Sequence, residues 1–300
     1  MQSFAQKVAV ITGAGSGMGR YLALLIARAG GDVVICDVNE ESLAETKALL
    51  HKYNVAVSSH ILDVADKDAI KALPEKVIAS HGKVDLVFNN AGVTFDSSFE
   101  NLEEEQWDSV MDINLHGVVN MTRAFMPYLK DRPEAAIVNT SSIFGMVAVA
   151  KQSVYHATKF AVRGFTESLA KELKGSSIQV HCVHPGHIGT NILATAKFHE
   201  DDVKGPGAAL GLGPKTREEM GDAFKKHGMH PSRAAEIILQ GVKKKKSRIF
   251  VGLDAKLIDL SQRLMPTHYE KIWPLFMLPL FLFRNKKALK DEKKREIGGN

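Results

Sequence analysis

Short apolar runs rich in β-branched residues recur through the first 250 residues, at 8–11, 33–36, 84–88, 136–139 and 178–183, with a weaker last one at 248–251. Residues 55–57 with 61–62 add a further candidate strand. Between them lie stretches with helical spacing at 17–29, 40–53, 67–80, 103–130 and 153–174. Near-continuous apolar runs mark strands buried on both faces, as in a parallel sheet. Their alternation with helices implies right-handed crossovers and an α/β fold: a doubly wound parallel sheet of about seven strands with helices on both faces.

Two regions break this rhythm. Residues 193–230 are rich in Gly, Lys and Glu without a clear period. An insertion of that length in a compact domain suits a lid over a substrate site. Residues 253–300 form an appendage after the last strand, so the main domain is expected to span 1–252. The appendage holds an apolar run at 272–283, interrupted by Pro274 and Pro279 and too short to span a bilayer. It could pack over the substrate pocket, meet another subunit, or lie on an anionic membrane surface beside Arg284, Lys286 and Lys287.

Charge and cysteine content narrow the surroundings. The net charge of +5 is local, concentrated in Lys243–Lys246 with Arg248 and in the tail beyond residue 284, on a mildly acidic body. That distribution fits a solvated tail or an anionic surface better than a nucleic-acid groove. Two distant cysteines, Cys36 and Cys182, make no disulfide framework, and the N-terminus lacks a signal peptide's charged and apolar regions. A reducing, cytoplasmic compartment is therefore expected. His181, His184 and His187 invite a metal reading, but the odd offset puts His181 and His184 on opposite strand faces, so no metal is predicted.

Candidate chemistry begins where the first strand ends. Thr12-Gly13-Ala14-Gly15-Ser16-Gly17-Met18-Gly19 lies between a strand and a helix, the context that gives a glycine pattern meaning. Its glycines let backbone approach a pyrophosphate, and the helix N-terminus offers free N–H groups to it. Asp37 ends the second strand at the spacing expected of a carboxylate that binds the adenosine ribose. It would repel a 2′-phosphate, and neither Ser16 nor Val38 supplies a compensating cation, so NAD is favoured over NADP. The fold is accordingly expected to be Rossmann-type.

Tyr155 and Lys159 stand at i and i+4 on one helix face. A phenol titrates too high to serve as a base at neutral pH, and a nearby ammonium would stabilise its phenolate. Ser142 ends a strand, where ligands bind in such sheets, and could hydrogen-bond a substrate oxygen. A serine nucleophile is disfavoured because no Gly-x-Ser-x-Gly elbow surrounds it. Ile143, Phe144, Met146, Val147, Val149 and Phe95 suggest an apolar substrate wall.

In order along residues 5–252, these motifs resemble the short-chain dehydrogenase/reductase family, in its single-domain NAD(P) branch. The resemblance rests on the glycine motif, Asp63-Val64, Asn89-Asn90-Ala91-Gly92, Asn114, Ser142, Tyr155 with Lys159, and Pro185-Gly186 followed by Thr190. It implies that Tyr155 is the general acid/base and that Ser142 orients the reacting oxygen. Lys159 would bind the nicotinamide ribose, and Asn114 would hold a helix kink and a relay water. Asp63 and Val64 would meet adenine, Asn90 would position sheet and cofactor, and Ile188 and Thr190 would meet the carboxamide. The expected activity is hydride transfer between NAD and a secondary alcohol or ketone of steroid, retinoid or fatty type, by a homodimer or homotetramer pairing its two long helices. An NADPH-linked carbonyl reductase and a non-catalytic nucleotide sensor are the alternatives. Met18 and His156 depart from the family's usual residues; His156 is expected on the other side of its helix from Lys159.

Overall fold

The computed structural model describes residues 2–190, 197–198, 226 and 228–271. Nine strands occur among them: β1 (Val8–Thr12), β2 (Asp32–Asp37), β3 (Val57–Ile61), β4 (Leu86–Asn89), β5 (Phe95–Asp96), β6 (Ala135–Thr140), β7 (Ile178–Pro185), β8 (Lys197–Phe198) and β9 (Arg248–Val251). Seven pair in the order β3-β2-β1-β4-β6-β7-β9, all parallel. The seven-stranded, doubly wound sheet read from the sequence is thus present. The short β5 and β8 form a separate parallel pair, which periodicity does not reveal.

The helices are α1 (Gly17–Arg28), α2 (Glu40–Leu50), α3 (Lys67–His81), α4 (Glu104–Met111), α5 (Gly117–Lys130), α6 (Ser153–Glu172), α7 (Pro231–Lys243) and α8 (Leu253–Leu264). The stretch expected as one helix over 103–130 is divided by a π-helical turn, Asp112–His116. The last two helices lie outside the stretches expected to be helical. Most of the 193–230 insertion, and all of the 272–283 run and the basic tail, lie outside the described residues.

Alternation along the strands divides the core in two. On β1, Ala9 and Ile11 face α1 and α7, packing against Leu22, Ile26, Ala235 and Ile238. Val8 and Val10 face the opposite layer, with Ile70 and Val77 of α3 and Phe125 of α5. Burial on both faces explains why these strands read as continuous apolar runs. β3 is the exception: as an edge strand it is only half-buried and carries Ser58, Ser59 and His60, so it reads poorly from sequence.

A polar ladder crosses this core. Asn89 Nδ2 donates to Asn139 Oδ1 (2.8 Å) and to Thr122 Oγ1 (3.1 Å), and Asn139 Nδ2 donates to Thr166 Oγ1 (3.0 Å). It joins α5, β4, β6 and α6 through side chains that are almost wholly buried. The sheet order reverses between β1 and β4, which opens a crevice at the strands' carboxyl ends.

Candidate active site

A cleft of about 460 Å³ lies at that reversal, lined by Asp37 of β2, by the segments that follow β1, β2, β3 and β4, and by Ile113 and Thr190. Gly13 has φ +64°, a left-handed conformation that favours glycine, and a side chain there would come within 2.9 Å of Ala91 Cα. At Gly19 an added Cβ would sit on the Gly13 carbonyl oxygen. Gly15, Ser16, Gly17 and Met18 complete the turn into α1. Thr12 Oγ1 accepts from the Asn90 and Ala91 amides, and Asn90 Nδ2 donates back to the Thr12 carbonyl. These bonds lock the β1 and β4 ends together. The glycine motif alone assigns Thr12 no such role; a hydroxyl closing an apolar strand is the available signal.

Asp37 stands at one end of the cleft. Its carboxylate accepts from the Gly15 amide (2.8 Å) and the Asn39 amide (3.0 Å). Arg20, which no sequence motif marks, lies close by: its guanidinium donates to the Gly15 carbonyl, Thr46 and the Ser42 carbonyl, and pairs with Glu45 at 2.7 Å. Its charge is thereby already matched. Asp63 and Val64 also line the cleft, and Asp63 accepts from the Ala65 amide as a local cap.

Asn114 sits in the π-helical turn and is fully buried. Its amide brackets Val93, accepting from the backbone N–H (2.8 Å) and donating to the carbonyl (2.9 Å), and also donates to Thr158. A Cβ on Gly92 would lie 3.1 Å from Asn114 Oδ1 and 3.3 Å from Lys159 Nζ, so the two polar groups share one small space.

Ser142 and Tyr155 meet at the carboxyl end of β6. Burial raises the Tyr155 phenol above its ordinary value, and a hydrogen bond with Ser142 pulls it down in part. The ammonium of Lys159 donates to the Thr140 carbonyl (3.1 Å) and lies 5.5 Å from the Tyr155 ring centre. Burial lowers its own value to about 8. Burial is thus the larger influence on the phenol and the Ser142 hydrogen bond the smaller, opposing one.

His156 also departs from expectation. Three residues on from it, Lys159 lies only ~60° away around the helix, and His156 is buried. Its Nδ1 bonds the Phe144 carbonyl (3.0 Å) and its Nε2 accepts from the Val149 amide (3.0 Å). It thus clamps residues 144–149. His184 holds the Ser142 carbonyl through Nδ1 (3.2 Å), and burial pushes it down to about 4. A neutral ring meets a carbonyl only through N–H, so Nδ1 carries the proton. His181 likewise bonds the Lys246 carbonyl.

The third wall is the Pro185-Gly186-His187-Ile188 loop. Asp254, buried at the start of α8, accepts from the His187 amide at 2.7 Å, and a side chain on Gly186 would strike its carboxylate. Nothing in the spacing marks Asp254. The expected substrate wall is largely core instead: Ile143, Met146 and Val147 pack on Ala255 and Ile258, and Phe95 packs on Val110 and Val154. Phe144 remains beside the Tyr155 ring, edge-on at 6.4 Å.

The model of the short chain dehydrogenase family matches residues 7–201. The chain belongs to the short-chain dehydrogenase family. The Mycobacterium tuberculosis protein SadH, described only as an oxidoreductase, is 39% identical over 275 residues, covering 91% of this chain and 95% of SadH. A short-chain dehydrogenase/reductase of Burkholderia phymatum, solved with NAD, is 29% identical with a TM-score of 0.76, over 90% of this chain and 96% of that one. A metagenomic short-chain oxidoreductase solved with NADP is 31% identical with a TM-score of 0.59, over 61% and 84%. The chain is an oxidoreductase of this family, whose members bind NAD or NADP. The cradle around Gly13 and Gly19, where side chains would collide, and the polar groups along the cleft fit such a dinucleotide.

Proposed function

We propose that this chain transfers hydride between NAD(H) and the carbon of an apolar secondary alcohol or ketone. The observation that carries the proposal is the buried Ser142–Tyr155 hydroxyl pair beside Lys159, whose ammonium lies next to Gly92 of the cleft lining. NAD, when bound, supplies the hydride acceptor. Gly13, Gly15, Ser16, Gly17, Met18 and Gly19 would hold the pyrophosphate, and Asp37 the ribose hydroxyls. Asp63 and Val64 would meet adenine, and Asn90, Ala91 and Gly92 would support the cofactor. Ile188 and Thr190, after Pro185 and Gly186, would meet the carboxamide.

In the oxidative direction Tyr155 takes the alcohol proton and Ser142 stabilises the charge that develops on oxygen. Lys159 and a water held by Asn114, whose side chain shares the space beside Gly92 with the ammonium, pass the proton outward. The apolar character of the substrate is supported by Phe144 against Tyr155. Residues 1–252 carry this chemistry, 193–230 serve as the substrate loop, and 253–300 are an appendage. Assembly as a homodimer or homotetramer uses α5 and α6, where Phe160 is exposed, and peripheral membrane contact belongs to the appendage.

The test is turnover with NAD over secondary alcohols of rising hydrophobicity, for the wild type and Tyr155→Phe. The variant should bind NADH as the wild type does and lose about a thousandfold in kcat. Undiminished turnover in that variant would overturn the mechanism.

A further inference from the structure

After β9 the chain turns into α8 on the carboxyl-end side of the strands, the side where Ser142 follows β6. The helix's inner face, with Ala255, Ile258 and Ser261, is buried against residues 143–147. Tyr269, just beyond it, extends the contact: its hydroxyl accepts from the Ala148 amide and donates to the Ala148 carbonyl. The outer face carries Leu253, Leu257, Leu260 and Leu264, spaced by four, three and four. At 3.6 residues per turn they fall within a sector of ~60°. Leu253, Leu260 and Leu264 are 59%, 50% and 70% exposed, and Met265 follows at 38%. Among the described residues most large apolar side chains are inside, so such a row on a surface helix calls for a partner.

Three features choose between partners. Exposed Lys256 and Arg263 border the leucine row on one side, with Arg263 also paired to Asp259. In sequence, the twelve residues 272–283 that follow contain no charged side chain but hold Trp273, Phe276, Phe281 and Phe283. Residues 284–295 then carry seven Lys or Arg. An apolar stripe with cations at its margin, continued by an aromatic run and a basic segment, matches an anionic lipid surface. A second copy of the chain fits less well. The stripe covers under two heptads, about 18 Å, too little to hold a helix pair by itself.

We propose that the outer face of α8 docks on an anionic lipid surface. Because the inner face of α8 braces residues 143–148, docking places the reaction site beside the bilayer. This inference is independent of the reaction proposed above and is read without turnover.

The experiment is co-sedimentation of the full chain with phosphatidylcholine vesicles, with and without phosphatidylserine. Binding should require phosphatidylserine and weaken with added salt. The double variant Leu260→Glu, Leu264→Glu should bind at least about tenfold more weakly, with the melting temperature of the wild type. No binding by the wild type, or equal binding by the variant, overturns the proposal. So does a dimer that the double substitution dissociates while neither form meets vesicles, since that assigns the stripe to a second copy. Should the double variant melt early, Leu264→Cys carrying a polarity-sensitive fluorophore replaces it. Both native thiols are buried and pushed up to about 12, so labelling is selective. A blue shift on phosphatidylserine vesicles supports docking, and an unchanged spectrum refutes it.

Discussion

Asp37 accepts two backbone N–H groups and still faces the cleft, so a phosphate on the adjacent ribose would meet its negative charge. Arg20 does not offset this, because Glu45 already pairs with it. Replacing Asp37 with Ser should shift the ratio of kcat/KM for NADP over NAD upward by about ten- to a hundredfold. An unchanged ratio would mean that another group selects the nucleotide. Lys159 permits a second test. Its value in the folded chain, about 8, lies below the ordinary lysine value of 10.5. Between those limits the unfolded chain binds more protons, so raising the pH favours the fold. The stability of the wild type relative to Lys159→Met should therefore rise across that window, read from denaturant midpoints at several pH values. A flat difference would place the ammonium in a wetter site. Asp37, Ser142, Tyr155 and Lys159 were legible because each sits at a fixed offset from a strand end or helix start. Thr12 and His184 were not: they act through backbone partners distant in sequence, which no local pattern encodes.

Among elements, those buried on both sides were the plainest to read, since a strand packed against helices above and below keeps few positions for polar side chains, and those it keeps, such as Asn89 and Asn139, are paired with one another. β3 blurred because an edge strand tolerates polar side chains. The β5–β8 pair is too short to show a period. The π-helical turn was hidden because its residues keep helical spacing, although Asn114 marks the place. There the extra residue per turn lets the Asn114 amide reach Val93 rather than a neighbour in its own helix. α8 was missed as a structural element, yet it packs against residues 143–147 and accepts from the His187 amide. Asp254→Ala removes the acceptor for the His187 amide. It should raise the KM for the dinucleotide several-fold, by ~1–2 kcal/mol, with little change in kcat. Asp254→Asn, which keeps an acceptor oxygen, should recover most of the loss. Equal defects in both variants would show that charge rather than the hydrogen bond matters.

At the scale of the molecule, the candidate site residues gather at the carboxyl ends of the strands, and α8 packs against residues 143–147 beside them. Deleting residues 253–300 would uncover Ile143, Met146 and Val147. At about 1.5–3 kcal/mol for each large side chain this is a loss of several kcal/mol, and thermal melting should fall accordingly. A truncated chain that melts with the wild type would show that residues 143–147 find cover elsewhere.

The ladder of Asn89, Asn139, Thr122 and Thr166 ties the two central strands to the helices that carry Asn114, Tyr155 and Lys159. Each member satisfies another, so exchanging one for an apolar residue strands a buried amide or hydroxyl, whereas exchanging all of them together need not. Lineages diverging from this protein therefore have no easy single step away from the ladder. Its four positions should be inherited as a block, and a chimaera that takes α5 from one relative and β6 from another should fold poorly wherever the blocks disagree.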